Sequence, residues 1–309
     1  MKMKGRDFLS IHDFTTEEIY RFLDLADALK TKQKQGEEHH LLKGKTLGMI
    51  FQKASTRTRV SFETGMWQLG GYALFLSAGD LQIGRGEPVA DTARVLSRYV
   101  DGIMIRTYAH NDVLQLAKYA DIPVINGLTD LLHPCQVMAD LMTAREYKKE
   151  LKGLKLAYIG DGNNMAHELM FGGAKVGMHV SIASPAGYKP LDTVVSQARE
   201  DAKLTGTRIE VVDDPFEAAA GADVLYTDVW ASMGHEQEQI KRAAVFKAYQ
   251  INAALMKVAA KDAMVMHCLP AHRGEEITAE VMEGPQSAIF DEAENRLHAQ
   301  KAIMALLMG

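Results

Sequence analysis

Short apolar runs alternate with amphipathic stretches along this chain. TLGMIF, YALFL, GIMIR and IPVIN are each followed by a polar or glycine-containing turn and then a helical pattern, the signature of a parallel sheet with helical crossovers. Ahead of them, residues 15–35 read as a helix with Ile19, Phe22, Leu23, Leu25 and Ala26 on one face, and the charged loop KQKQGEEHH follows. Val60, Phe62, Met66, Trp67 and Leu69 form a mostly one-sided stripe that Gly70-Gly71 stops. GLTDLLHPCQVMADLMTAREYKKE becomes a helix from about His133 or Pro134, with Val137, Leu141, Ala144 and Tyr147 as its buried side.

A second alternation begins at LKLAYIG, residues 154–160, and runs through VSIAS, IEVV, VLYTDV and MVMHCLP. The expectation is α/β: two open parallel-sheet domains over residues 1–150 and 151–290, with a C-terminal helix in 291–309 that packs back on the first domain. Ligands of such sheets sit beyond the carboxyl ends of the strands. Asn163, Asn164, Asp228, His267 and Cys268 then share one rim, and the crevice between the domains becomes the candidate active site.

Composition narrows the partners. The chain has 309 residues, is 47% hydrophobic and 24% charged, and carries a net charge of -5 with a pI near 6.1. That balance gives no global attraction to nucleic acid or to an anionic membrane, so any phosphate binding must be local. MKMKGRDFLSIHDF lacks an apolar signal core and no apolar run is long enough to span a bilayer. A cytoplasmic protein with its two cysteines, Cys135 and Cys268, reduced is expected.

FQKASTRTRVSFE, residues 51–63, places hydroxyls and two arginines where a strand hands over to a helix. Ser55 sits where an N-cap belongs, and a helix start offers unpaired N–H groups at the positive end of its dipole. With Arg57 and the neighbouring Ser and Thr hydroxyls it makes a phosphate cradle; a capped helix with solvated arginines is the plainer alternative. GDGNNM, residues 160–165, partly fits a dinucleotide fingerprint, but Met165 holds the third glycine position and Ser184 stands where an acidic ribose ligand belongs. His133, Cys135, His267 and Cys268 are zinc-ligand types without zinc-ligand spacing, and adjacent His267 and Cys268 point to opposite faces of a strand. Nothing local marks either cysteine as an activated nucleophile. In DVWASMG, Asp228 at a strand end can hold a cationic amine, with Ser232 and the Met233 backbone taking the rest of an amino acid. Arg296, beside Glu292 and Glu294, reads as a surface arginine, and Gln82 lies in the glycine-containing loop GDLQIGRGEP, which has the composition of a lid.

STRTR, HPCQ, DVWASMG and HCLPAHRGEE, in this order, resemble the aspartate/ornithine carbamoyltransferase family over essentially the whole chain. DxxxSMG and HCLP are similar to its ornithine-specific segments. The resemblance implies a carbamoyl-phosphate domain and an amino-acid domain, no cofactor, and a homotrimer or a multiple of trimers with sites between neighbouring subunits, while the ligand spacing gives the expectation of no metal. It also implies that Ser55, Thr56, Arg57 and Thr58 hold the phosphate with Gln82 of an adjacent subunit, and that Arg106 bridges phosphate and carbamoyl group. The HPCQ segment, His133, Pro134, Cys135 and Gln136, joins the carbamoyl-phosphate site. Asn164, Asp228, Ser232 and Met233 are the implied L-ornithine contacts, Cys268, Leu269 and Arg296 complete the pocket, and the Leu269-Pro270 peptide is expected to be cis. The catalytic group is expected to comprise Arg106, His133, Asp228 and Cys268. A nicotinamide-dependent oxidoreductase, a non-catalytic binding protein and a transferase for another amine such as putrescine are the rival readings.

Overall fold

The structure, a computed structural model, describes residues 3–231 and 239–309. The chain divides into one unit comprising Met1–Met142 and Asn295–Gly309, and a second comprising Thr143–Glu294. Each contains one sheet in which every strand pair is parallel.

In the first unit, α1 (Thr16–Lys34) starts at a capping box. Thr15 Oγ1 accepts from the Glu18 N–H and the Glu18 carboxylate accepts from the Thr15 N–H, so two N–H groups at the helix start are satisfied reciprocally. The chain continues through β1 (Thr46–Phe51), α2 (Thr56–Gln68), β2 (Tyr72–Ser77), α3 (Val89–Leu96), β3 (Gly102–Arg106), α4 (His110–Tyr119), β4 (Val124–Leu128) and α5 (Pro134–Lys148). The sheet order is β2-β1-β3-β4. Ile50, Ile103, Ile105, Val113, Leu116 and Val124 form a core on it. Strands β1 and β3 are apolar on both faces because helices cover both sides, as parallel sheets require. Strand β2 differs: it is an edge strand with Tyr72, Leu74 and Phe75 exposed.

The second unit runs β5 (Lys155–Ile159), α6 (Asn164–Val176), β6 (His179–Ala183), α7 (Asp192–Thr205), β7 (Ile209–Val212), α8 (Pro215–Ala219), β8 (Val224–Thr227), α9 (Gln239–Phe246), α10 (Ala253–Val258), β9 (Met264–His267) and α11 (Ala279–Met282). Its order is β7-β6-β5-β8-β9. Helix α12 (Ile289–Met308) begins in this unit and supplies the segment that closes the first. There a Cβ added at Gly65 of α2 would lie 3.1 Å from Met304 and 3.2 Å from Lys301, so a side chain at 65 would push the two helices apart.

Strand order reverses between β1 and β3 in one sheet and between β5 and β8 in the other. The connections leave to opposite faces at those two places and open a crevice at the carboxyl ends. Two sequence expectations are corrected here. Val60 and Trp67 are 54% and 75% exposed, whereas Phe62, Met66 and Leu69 are fully buried; at about 100° per residue, positions 60 and 67 turn away from the face that 62, 66 and 69 share. Tyr147 is also exposed; its hydroxyl donates to Asp291, and that hydrogen bond, then burial, push the phenol up to about 12.

Candidate active site

At the first switch point β1 ends and Ser55 caps α2. Ser55 Oγ accepts from the Thr58 N–H at 3.2 Å and donates to Thr58 Oγ1 at 3.1 Å. The N–H groups of Thr56 and Arg57 keep their outward aim at the positive end of the helix. Arg106, the last residue of β3, is paired in register with Phe51 at the end of β1. Its Nη1 lies 3.4 Å from Thr58 Oγ1. Arg296 approaches the same oxygen from α12 through Nη2 at 3.3 Å, while its Nη1 donates to Gln136 Oε1 at 2.6 Å. Ser55, Arg106 and Arg296 thus share the two lone pairs of one hydroxyl oxygen, which leaves Thr58 its own O–H to donate outward.

Gln136 is held in turn by its Nε2 donating to Asp140 Oδ1 at 2.8 Å. His133, just before Pro134 at the start of α5, is buried, and its Nδ1 has no hydrogen-bond partner among the described residues. Burial first, then the cations Arg296, Arg106, Lys53 and Arg57, push this imidazole well below the ordinary histidine value. It is therefore neutral near pH 7 and can give a carbonyl oxygen one N–H without adding charge. The Arg57 carbonyl accepts from the Ser61 hydroxyl at 2.6 Å, while its guanidinium makes no hydrogen bond or ion pair among the described residues. The arrangement is a concentration of positive charge around a helix start, suited to a compact dianion.

At the second switch point Asn163 caps α6, its Oδ1 accepting from the N–H groups of Met165 and Ala166 and from the Tyr158 hydroxyl. Asp228, immediately after β8, accepts from Asn163 Nδ2 at 2.8 Å, from the Val229 N–H at 2.8 Å and from Cys268 Sγ at 3.1 Å. Tyr158 stays protonated because burial, then Asp228 and Asp161, raise it well above the ordinary phenol value. The result is an anchored carboxylate beside a part-exposed thiol, a receptor for an amine.

The turn after β9 is fixed from behind. Leu269 has φ 59°, the left-handed region that non-glycine residues avoid, and the Leu269-Pro270 peptide is cis, as the resemblance leads one to expect. His267 Nδ1 accepts from the Leu269 N–H at 2.9 Å, and its Nε2 faces Glu276 Oε1 at 3.0 Å. Nδ1 as acceptor makes Nε2 the protonated nitrogen, so the ring donates to the carboxylate. Glu292 Oε2 accepts from the His267 N–H and Oε1 from the Tyr226 hydroxyl.

Ser55, Thr58, Arg106, Gln136 and Arg296 are directly linked, and the cations around them act on His133. Asp228 and Cys268 meet in the second unit. Gln82 stands exposed on the short 3-10 helix Gln82–Arg85. The Cys135 thiol is fully buried and donates to the Asn126 carbonyl, so its side chain points into the core. Asn164 is the first residue of α6; Ser232 and Met233 lie outside the described residues. Asn163, which contacts Asp228, was signalled by an Asn before a helix; Glu276 and Glu292, nine and 25 residues from the His267 they support, gave no local signal.

The opposite-face argument against a metal at His267 and Cys268 is corrected: donor atoms of Asp228, His267 and Cys268 all lie within 4.8 Å. The reason they do not form a ligand set is different. The only lone pair of that imidazole tautomer already accepts the Leu269 N–H. The dinucleotide reading loses its space too, since the Gly162 N–H donates to Tyr188 and a Cβ at Gly162 would lie 2.2 Å from Pro190 N. A phosphate has no approach to that backbone.

Residues 6–146 match the family described as "Aspartate/ornithine carbamoyltransferase, carbamoyl-P binding domain", and residues 152–307 its "Asp/Orn binding domain". The chain is 61% identical over 306 residues to an ornithine carbamoyltransferase of Carboxydothermus hydrogenoformans, covering 99% of this chain and 98% of that one. It is 56% identical to the protein of Pyrococcus furiosus named "Ornithine carbamoyltransferase, anabolic", covering 100% and 98%. A solved ornithine carbamoyltransferase structure from Pyrococcus furiosus is similar with a TM-score of 0.97 at 56% identity, covering 100% of this chain and 99% of that one.

Proposed function

The chain belongs to the aspartate/ornithine carbamoyltransferase family, and from that premise we propose that it transfers the carbamoyl group of carbamoyl phosphate to the δ-amine of L-ornithine, giving L-citrulline and phosphate. The observation that carries the proposal is that one chain holds both a cationic helix start around a neutral His133, in its first unit, and an amine receptor made by Asp228 and Cys268, in its second. In this reading Ser55, Thr56, Arg57 and Thr58 take the phosphate, and Arg106 spans phosphate and carbamoyl oxygen. Thr58, His133 and Gln136 face the carbamoyl end, and Arg296 braces Gln136 and Thr58. Asn164, Asp228, Ser232 and Met233 take ornithine, and Cys268 and Leu269 close over its side chain.

The neutral δ-amine attacks the carbonyl carbon. The oxygen that gains charge in the tetrahedral state is met by Arg106, His133 and the Thr58 hydroxyl, fixed donors that need no reorganisation. Phosphate leaves and can itself accept the amine proton, so a dedicated protein base is not required. Asp228 orients the amine, with the Cys268 thiol beside it.

The exposed apolar edge of β2, Tyr72, Leu74 and Phe75, supports assembly into a homotrimer in which Gln82 serves a neighbour's site. A cytoplasmic location accompanies this reading; among the described residues no helix is long and apolar enough to cross a membrane. The test is citrulline formation from carbamoyl phosphate with ornithine, putrescine or aspartate as acceptor, without added nicotinamide or metal. Turnover with ornithine alone is expected. Preference for putrescine or aspartate would overturn the assignment of the acceptor, and binding without turnover would overturn the enzyme.

A further inference from the structure

The loop that follows Pro270 gathers a second set of donors, distinct from the amine receptor. His272 Nδ1 lies 3.8 Å from Glu275 Oε2 and 3.9 Å from Glu276 Oε2. Each of the three residues offers one donor atom, and those atoms lie within 4.8 Å of one another. His272 and Glu275 reach solvent, whereas the Glu276 side chain is fully buried.

Glu276 is the residue that makes this more than a polar cluster. Its Oε1 accepts from His267 Nε2 and from the His272 N–H. Its Oε2 is buried and accepts no hydrogen bond, and 3.9 Å to His272 Nδ1 is too long to count as one. A buried carboxylate oxygen left without a donor costs free energy, and native structures rarely tolerate one. A cation at this point would satisfy it.

The backbone beneath is already fixed. Gln250 Nε2 donates to the carbonyls of Gly274 and Glu275 at 2.9 and 2.7 Å, and the Ile251 N–H donates to the Glu276 carbonyl at 2.9 Å. Arg273 turns outward to pair with Glu283. Ligand spacing also fits on the histidine side: nitrogen and oxygen at about 2.1 Å from a tetrahedral ion stand about 3.4 Å apart, so the 3.8 and 3.9 Å separations from His272 Nδ1 need to contract by only a few tenths of an ångström. Two half-exposed side chains can supply that.

We propose that His272, Glu275 and Glu276 form a binding site for a divalent transition metal of the zinc class, with its remaining position open to solvent. An imidazole with two carboxylates favours zinc, cobalt or nickel over the all-oxygen shells of calcium and magnesium. Glu276 carries His267 on its other oxygen, and His267 holds the Leu269 turn, so metal on Oε2 anchors the support of that turn.

Cobalt(II) serves as the probe, because its visible spectrum reports coordination and a thiolate ligand adds a charge-transfer band. The full chain bearing Cys268→Ser, which removes the competing thiol, is titrated and compared with the same chain also bearing His272→Ala or Glu275→Gln. Binding in the single variant, displaced by zinc and weakened roughly ten-fold or more by either second change, is expected from loss of one of three ligands. The proposal is overturned if the single variant binds no cobalt, or if both double variants bind it undiminished. The readout is binding, so the result does not depend on which amine the enzyme carbamoylates.

Discussion

Thr58 Oγ1 faces the N-cap Ser55 together with Arg106 and Arg296, and this one hydroxyl ties two distant parts of the chain to the helix start. Arg57 stands apart from that network, so its substitution tests charge rather than scaffold. Arg57→Ala is expected to raise KM for carbamoyl phosphate and lower turnover, with a loss of about 2 kcal/mol, or roughly thirty-fold in kcat/KM; steady-state kinetics with each substrate varied in turn check it. Cys268→Ser should weaken ornithine use while leaving carbamoyl phosphate binding nearly intact, which calorimetry with that substrate alone would reveal. Equal loss for both substrates contradicts the role given to the thiol. Asn163→Ala removes both a helix cap and a donor to Asp228. A stability loss of about 1 kcal/mol together with a raised KM for ornithine is the expected pair. The residues with chemistry in their type and position, Ser55, Arg57, Arg106 and Asp228, were legible in the sequence. Arg296 was harder, because two glutamates beside it mimic a solvated helix face; in the structure Glu292 is itself buried and bonded to Tyr226 and His267.

Among the elements, the strands were the most legible, since an apolar run between polar turns carries its own boundaries: TLGMIF and GIMIR coincide with β1 and β3. Helix faces were less so. The stripe on α2 was assigned one face too wide at Val60 and Trp67, because apolar type does not show which positions another element covers. Helix α12 is covered on several sides, and its interior holds titratable groups that its pattern does not advertise. His298 is pushed down to about 3, by burial first and then by Lys301, Lys30, Lys34 and His39. Its unfolded value lies near 6.5. The neutral form is the one the folded protein favours, so its contribution to stability is fully present above pH 6.5 and is lost as pH falls toward 3. The melting temperature should fall on acidification through that window, and less steeply in His298→Gln; identical slopes would remove His298 from the account.

On the scale of the whole molecule, two parallel sheets with the orders β2-β1-β3-β4 and β7-β6-β5-β8-β9 each put a polar cluster where strand order reverses. The alternation of strands and helices made that topology readable, whereas the apolar run YALFL gave no hint that it lies on an edge with its side chains uncovered. On the trimeric assembly proposed above, Leu74→Asp on that edge is expected to yield smaller species in analytical ultracentrifugation, and to abolish most activity if Gln82 serves a neighbour. An unchanged sedimentation profile would remove β2 from the interface.

The closing segment of the first unit, Asn295–Gly309, comes after the whole of the second, Thr143–Glu294. A ribosome releases the amino end first, so the nascent β1 to β4 sheet waits through some 150 residues of further synthesis, on the order of ten to thirty seconds, before Arg296 and the apolar side of α12 exist. Throughout that interval Gly65 and Gly102 face no Met304 or Met308, and the newborn first unit carries a bare apolar surface of the kind that sticks to neighbouring chains.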